Sequence, residues 1–153
     1  IYYASDVRLR HNESIVIDGP TRLIVDGDIN LSDDAAIIVN RDASLEIHVD
    51  GNVNLNGRGI VNLSEIPANV AIIGTNSDRR SIVFRGDEPL HGAIYAPNSD
   101  FYAYGNRTVR TIYGAIVARA VTFDDDTNFH FDVALRDTHF DGVEKAYAFD
   151  PKE

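Results

Sequence analysis

Apolar residues in this chain fall into short alternating runs broken by Asp, Asn and Gly. In RLIVDGDINL, Leu23 and Val25, then Ile29 and Leu31, occupy alternate positions on either side of Asp26-Gly27. LEIHVDGNVNL repeats the arrangement, with Leu45, Ile47, Val49, Val53 and Leu55 around Asp50-Gly51. A period of two sends successive side chains to opposite faces of a strand, and an Asp-Gly pair between two such runs marks a tight turn. The pattern therefore predicts strands of about three to five residues joined by turns. Helical spacing is nearly absent, the best run being the weak VEKAYAF segment from Val143.

The alternation alone would suit a hairpin-built sandwich; the repeats decide otherwise. IVDGDINL at Ile24 returns as HVDGNVNL at His48, and AIIG at Ala71, AIYA at Ala93 and AIVA at Ala115 follow at intervals of 22 residues. GAIYAPNSDFYAYGN from Gly92 is nearly restated by GAIVARAVTFDDDTN from Gly114. Such a period means that each unit buries its apolar side only by stacking on the next. The sequence predicts an all-β fold: a right-handed parallel β-helix of about five coils of 22–24 residues over residues 1–135. A C-terminal tail, 136–153, carries Phe140, Tyr147 and Phe149 and is expected to cap the last coil.

Aligning Gly92 with Gly114 places Phe101 over Phe123 and Ala103 near Asp125, with Val121 and Phe123 as core residues. Tyr102 and Tyr104 then point outward, where earlier coils offer Asn30 with Ser32 and Asn54 with Asn56. Matching Gly86 to Gly105, a spacing of 19, turns Ile82 and Phe84 inward and sets Val83 and Arg85 beside the two tyrosines. Arg85 can then rest on an aromatic face. The candidate binding residues are Arg85, Tyr102, Tyr104 and Tyr113.

GAIYAPNSDFYAYGN, GAIVARAVTF and the closing FHFDVAL from Phe129 resemble the β-helical module of bacterial type IV pilus assembly accessory proteins and related minor-pilin-like surface proteins. The resemblance covers Val70 to Leu135 well and the earlier coils in style. It implies a non-enzymatic surface or pilus-associated module for adhesion or assembly, at the extracellular face of a bacterium. Its partners would be other envelope or pilus proteins, or a surface glycan. The chain departs from the family pattern at Tyr102 and Tyr104, where small polar residues are usual, and at Asp124, Asp125 and Asp126, where a Ser-Gly-Asn turn is usual.

Composition narrows the alternatives. The formal net charge is -10 and the 14 Lys and Arg show no cluster beyond Arg79-Arg80, which argues against nucleic acid. No apolar run approaches the roughly 18 residues of a membrane helix, so no membrane contact is expected from this segment. With no Met at all, the chain reads as part of a longer precursor. The absence of Cys removes thiolate chemistry.

No cofactor or metal is expected. The Asp124–Asp126 run offers oxygen ligands for Ca²⁺ but reads better as a solvated turn, and VDGDINLSDD lacks the Gly and closing Glu of a calcium loop. His130 and Asp132 share a strand face and, with His139 and Asp141, make a metal-like inventory; as residues of the last coil they read as an edge cap. His11 and His91 show no partner in the sequence. Arg85-Gly86-Asp87 matches an adhesion tripeptide but falls at a strand-ending turn. The enzyme alternative is a glycan-acting hydrolase or lyase using outward carboxylates, for which no pair on adjacent coils can be assigned.

Overall fold

A computed structural model describes residues 1–105, 109–124 and 126–140. The first coil contains β1 (Tyr2–Ala4), β2 (Val7–Leu9) and β3 (Ser14–Ile17). The second contains β4 (Pro20–Val25), β5 (Ile29–Leu31) and β6 (Ala36–Val39), and the third β7 (Ser44–Val49), β8 (Val53–Leu55) and β9 (Gly59–Asn62). A single 3-10 turn at Pro67–Asn69 leads to β10 (Val70–Gly74) and β11 (Arg80–Phe84), then to β12 (Leu90–Ala103), β13 (Arg110–Phe123) and β14 (Thr127–Phe131). Every strand pairing among the described residues is parallel, and the chain is a β-solenoid of about five turns.

The stacking rows explain why single coils of such short strands hold. On the first side Leu23, Ile47, Ile72, Ile94 and Ile116 stand in register. On the second, Val7, Ile29, Val53, Ile82, Phe101 and Val121 form one inward row, and Leu9, Leu31, Leu55, Phe84, Ala103 and Phe123 the next. Among the described residues a third side forms only in the first three coils, where Ile15, Ile37 and Ile60 stack. The central members of these rows are fully buried, each contributing roughly 1.5–3 kcal/mol by leaving water. Within one coil they have nothing above or below them, so burial is a property of the stack.

Polar residues hold the corner between the first two sides. The Asp6 Oδ1 accepts the Asp28 backbone N–H at 2.9 Å, the Asp28 Oδ1 accepts that of Asn52 at 2.7 Å, and the Asn52 Oδ1 accepts that of Ser81 at 3.0 Å. Asp28 is thus a rung of a coil-to-coil ladder. The neighbouring Asp-Gly pairs owe their Gly to the same close stacking: a Cβ on Gly51 would lie 2.3 Å from the Gly27 carbonyl oxygen. Turn conformation is not the cause, since neither Gly27 nor Gly51 has positive φ.

Two sequence expectations are corrected. β12 and β13 are each 14 residues long, because the chain bends through the corner without leaving the ladder. Their register also slips: Ala96 faces Ala118, but Asp100 faces Ala120, so Phe101 stands opposite Val121 and Ala103 opposite Phe123. The first copy spends Pro97, Asn98 and Ser99 at the corner where the second spends only Arg119. Asn98 and Ser99 reach back to Asn76, which is buried in the long loop after β10. The Phe101 and Phe123 rings still meet edge to face, with centroids 6.2 Å apart. Val121 and Phe123 keep the inward row, yet they are 44% and 40% exposed, because β14 pairs only with the first part of β13. The 19-residue spacing holds, with Phe84 opposite Ala103.

A second 3-10 turn, Val133–Asp137, crosses the expected boundary at 135. Asp132 caps it by accepting the Ala134 N–H at 2.9 Å. Tyr147, Phe149 and the VEKAYAF segment lie outside the described residues.

Candidate functional site

The outer face of the second side is built from two rows that strand alternation turns away from the core. Arg8, Asn30, Asn54, Val83, Tyr102 and Thr122 occupy one register. Arg10, Ser32, Asn56, Arg85, Tyr104 and Asp124 follow two residues further on. The Asn54 amide donates to the Asn30 Oδ1 at 2.8 Å, a polar ladder along the stack. Tyr102 and Tyr104 continue these rows as half-exposed rings, stacked 5.9 Å apart at an interplanar angle of 7°. The Arg85 guanidinium carbon lies 5.1 Å from the Tyr104 centroid, in cation–π range. Three of the four candidate residues are therefore one patch.

The structure adds a charged cluster to its edge. Asp100, one alternation before Tyr102, has only 3% of its side chain exposed, because two guanidiniums cover it. Arg79 donates from Nε to the Asp100 Oδ2 at 2.8 Å, and Arg119 from Nη2 to the same oxygen at 2.6 Å. The second oxygen lies 2.5 Å from Arg119 Nη2, in ion-pair contact without the alignment of a further hydrogen bond. The hydrogen bond from Arg119, followed by that from Arg79, holds the Asp100 carboxyl below its usual range against the opposing effect of burial. Arg79 is in turn held above its ordinary value, chiefly by Asp100 and to a lesser degree by Tyr102. The Tyr102 hydroxyl completes the group at 3.4 Å from Asp100.

Arg79, Asp100 and Arg119 come from the loop before β11, from β12 and from β13 in that order, and no short motif joins them. Strand alternation puts Asp100 on the same side as the tyrosines, but nothing in the sequence singled it out, and the convergence of two distant arginines left no sequence signal.

Tyr113 is elsewhere. It pairs in register with His91, near the start of β12, and with His130, near the end of β14, and its ring stacks on each at 4.7 Å. His91 thus has a partner, and His130 belongs to an aromatic ladder rather than a hydrogen-bonded cap. His11 also has one, its backbone N–H reaching the Asp33 Oδ2 at 3.3 Å. A shallow cleft of ≈ 260 Å³ beside the ladder is bordered by Glu65, Pro67, Phe131 and Asp132.

Burial holds His91 below its ordinary value near 6.5, opposed in part by the Glu65 carboxylate. The folded state therefore prefers neutral His91, and the stability it contributes is complete above about pH 6.5 and lost as pH falls through the folded value. Urea midpoints of the parent should drop between about pH 7.5 and 5.5 more steeply than those of His91→Gln. Parallel curves would remove His91 as the cause.

A family model described as "Domain of unknown function (DUF7305)" matches residues 1–138. The chain belongs to the DUF7305 family. Comparison with curated proteins and with solved structures gives no match. The family match spans the whole described solenoid, including the Arg–Asn–Tyr face and the His–Tyr ladder. Among the described residues no three His, Asp or Glu side chains are grouped to hold a metal ion. In the acidic run, the Asp124 Oδ2 accepts the Gly105 N–H at 2.6 Å and its Oδ1 accepts the Thr127 hydroxyl at 2.9 Å, so Asp124 shapes the loop. Asp125 and Asp141 lie outside the described residues. No helix among the described residues is long and apolar enough to cross a membrane.

Proposed function

We propose that this DUF7305 domain is a non-enzymatic display module of a bacterial surface or pilus-associated protein, and that it adheres to a surface glycan through the outer face of its second side. The carrying observation is the stacked Tyr102–Tyr104 pair with Arg85 lying over one ring. Flat, half-exposed tyrosines with little rotational freedom, on a face whose earlier coils carry Asn30, Ser32, Asn54 and Asn56, offer apolar stacking and hydrogen bonding to a hydroxylated ligand together. Parallel stacking makes the support rigid. The bacterial surface setting is drawn from the resemblance of the GAIYAPNSDFYAYGN and FHFDVAL segments to pilus-associated modules. Binding is favoured over glycan cleavage at this face by Asp100: a carboxylate shared by two guanidiniums and held ionised is poorly suited to act as a general acid.

The double variant Tyr102→Ala/Tyr104→Ala is expected to fold, since both rings lie outside the core cluster, and to lose about tenfold or more in affinity for glycans captured on an array. Undiminished capture by a folded double variant would sink the proposal.

A further inference from the structure

Building on that adhesive reading, we infer that the ligand is a linear acidic polysaccharide lying parallel to the solenoid axis. Its carboxylate or sulfate groups meet arginines at both ends of the face, with neutral sugar units between.

The cationic groups of this face are distributed to suit such a chain. At one end Arg79 and Arg119 share a single carboxylate, so two positive charges are balanced by one negative charge. The Arg79 side chain is 67% exposed and that of Arg119 is 45% exposed. A guanidinium has five N–H donors in a planar fork, so both keep donors for an incoming carboxylate or sulfate. Arg85 adds a third cation beside the tyrosines. At the other end Arg8, Arg10, Asn30 and Ser32 border an open trough of ≈ 360 Å³; Arg8 lies 3.7 Å from the Asp6 carboxylate, an exposed pair that leaves guanidinium donors for a ligand. Four coil steps of about 4.8 Å separate the Arg8 register from the Tyr102 register, roughly 19 Å filled by Asn30, Asn54 and Val83.

The carboxylates of this face are already engaged. Asp6 and Asp28 accept backbone N–H groups of the next coil, Glu13 accepts the Arg10 N–H, and Asp100 and Asp124 have the partners given above. They still set the spacing of charge that the face tolerates. A polymer with a phosphate at every unit would bring negative charge over Asp28 and the uncharged middle, on a chain of net charge -10. A polymer whose anionic groups are spaced by hydroxylated units matches cations at the ends and amides between them.

The test uses immobilised domain with two polyuronates whose uronate units alternate with neutral sugars, hyaluronan and unsulfated chondroitin, and with dextran and single-stranded DNA as probes. The polyuronates should bind at least tenfold more tightly than dextran, and their binding should weaken as salt rises from about 0.05 to 0.5 M. Arg79→Gln/Arg119→Gln and, separately, Arg8→Gln/Arg10→Gln should each lower polyuronate affinity about tenfold while leaving dextran binding unchanged. The second pair is exposed and far from Asp100, so its loss of binding cannot arise from disturbing that cluster. Equal binding of dextran and polyuronate, or indifference to both arginine pairs with the tyrosine effect intact, would overturn the acidic ligand and leave the adhesive reading standing. Failure to bind any polysaccharide overturns both. Tighter binding of single-stranded DNA than of polyuronate would overturn the polymer class.

Discussion

Gly114→Ala is expected to destabilise the domain by about 4 kcal/mol or more, among the largest single-residue effects available to it. A Cβ at this position would sit 1.8 Å from the Gly92 carbonyl oxygen of the preceding coil, a distance no rotamer can relieve because both atoms are fixed by backbone. The residue also has φ +153, which side-chain-bearing residues rarely adopt. Gly92 and Gly114 face one another in the β12–β13 ladder, so relief would require the two longest strands to part. With a urea slope of about 2 kcal/mol per molar, the unfolding midpoint should fall by roughly 2 M, measured by circular dichroism. Gly19→Ala supplies the control: nothing lies within 4 Å of its Cβ position, so its midpoint should stay within about 0.5 kcal/mol of the parent. A Gly114→Ala midpoint as close to the parent would refute the stacked-backbone account of the GAI repeat.

Phe101→Ala should cost about 3–5 kcal/mol. The ring is fully buried, stands between Ile82 and Val121 in its row, and meets Phe123 edge to face. Its removal opens a cavity where neighbours on both coils are tied by backbone hydrogen bonds and cannot collapse inward. Val121→Ala, one coil later in the same row, should cost roughly 1 kcal/mol or less, because that side chain is already 44% exposed. Equal losses at the two positions would show that the last coil is as well covered as the interior, contrary to its exposure. Thermal melts of both variants supply the comparison.

The candidate site was legible in proportion to how local its residues are. Tyr102 and Tyr104 follow from alternation within one strand, and Arg85 from the spacing of 19 that brings β11 beside β12. Tyr113, expected in the same patch, sits instead near the start of β13, on the first side. Arg79 stands out in the sequence only as half of the Arg79-Arg80 pair and Arg119 not at all, because both flank corners, where loop length sets position. The inserted loop after β10 and the slip at Pro97–Ser99 move those corners by amounts that a constant repeat conceals.

By itself the sequence determined the architecture: alternation with period two fixed which side chains turn inward, and a recurrence in the low twenties fixed that they stack in parallel. Only the tertiary structure decided the register at the corners and the charges gathered there. Side-chain alternation is a property of the backbone and survives any partner, so it can be read from one strand alone. Whether Arg79 meets Arg119 over Asp100 depends on the summed lengths of two irregular corners, and a change of a single residue in either would carry them apart.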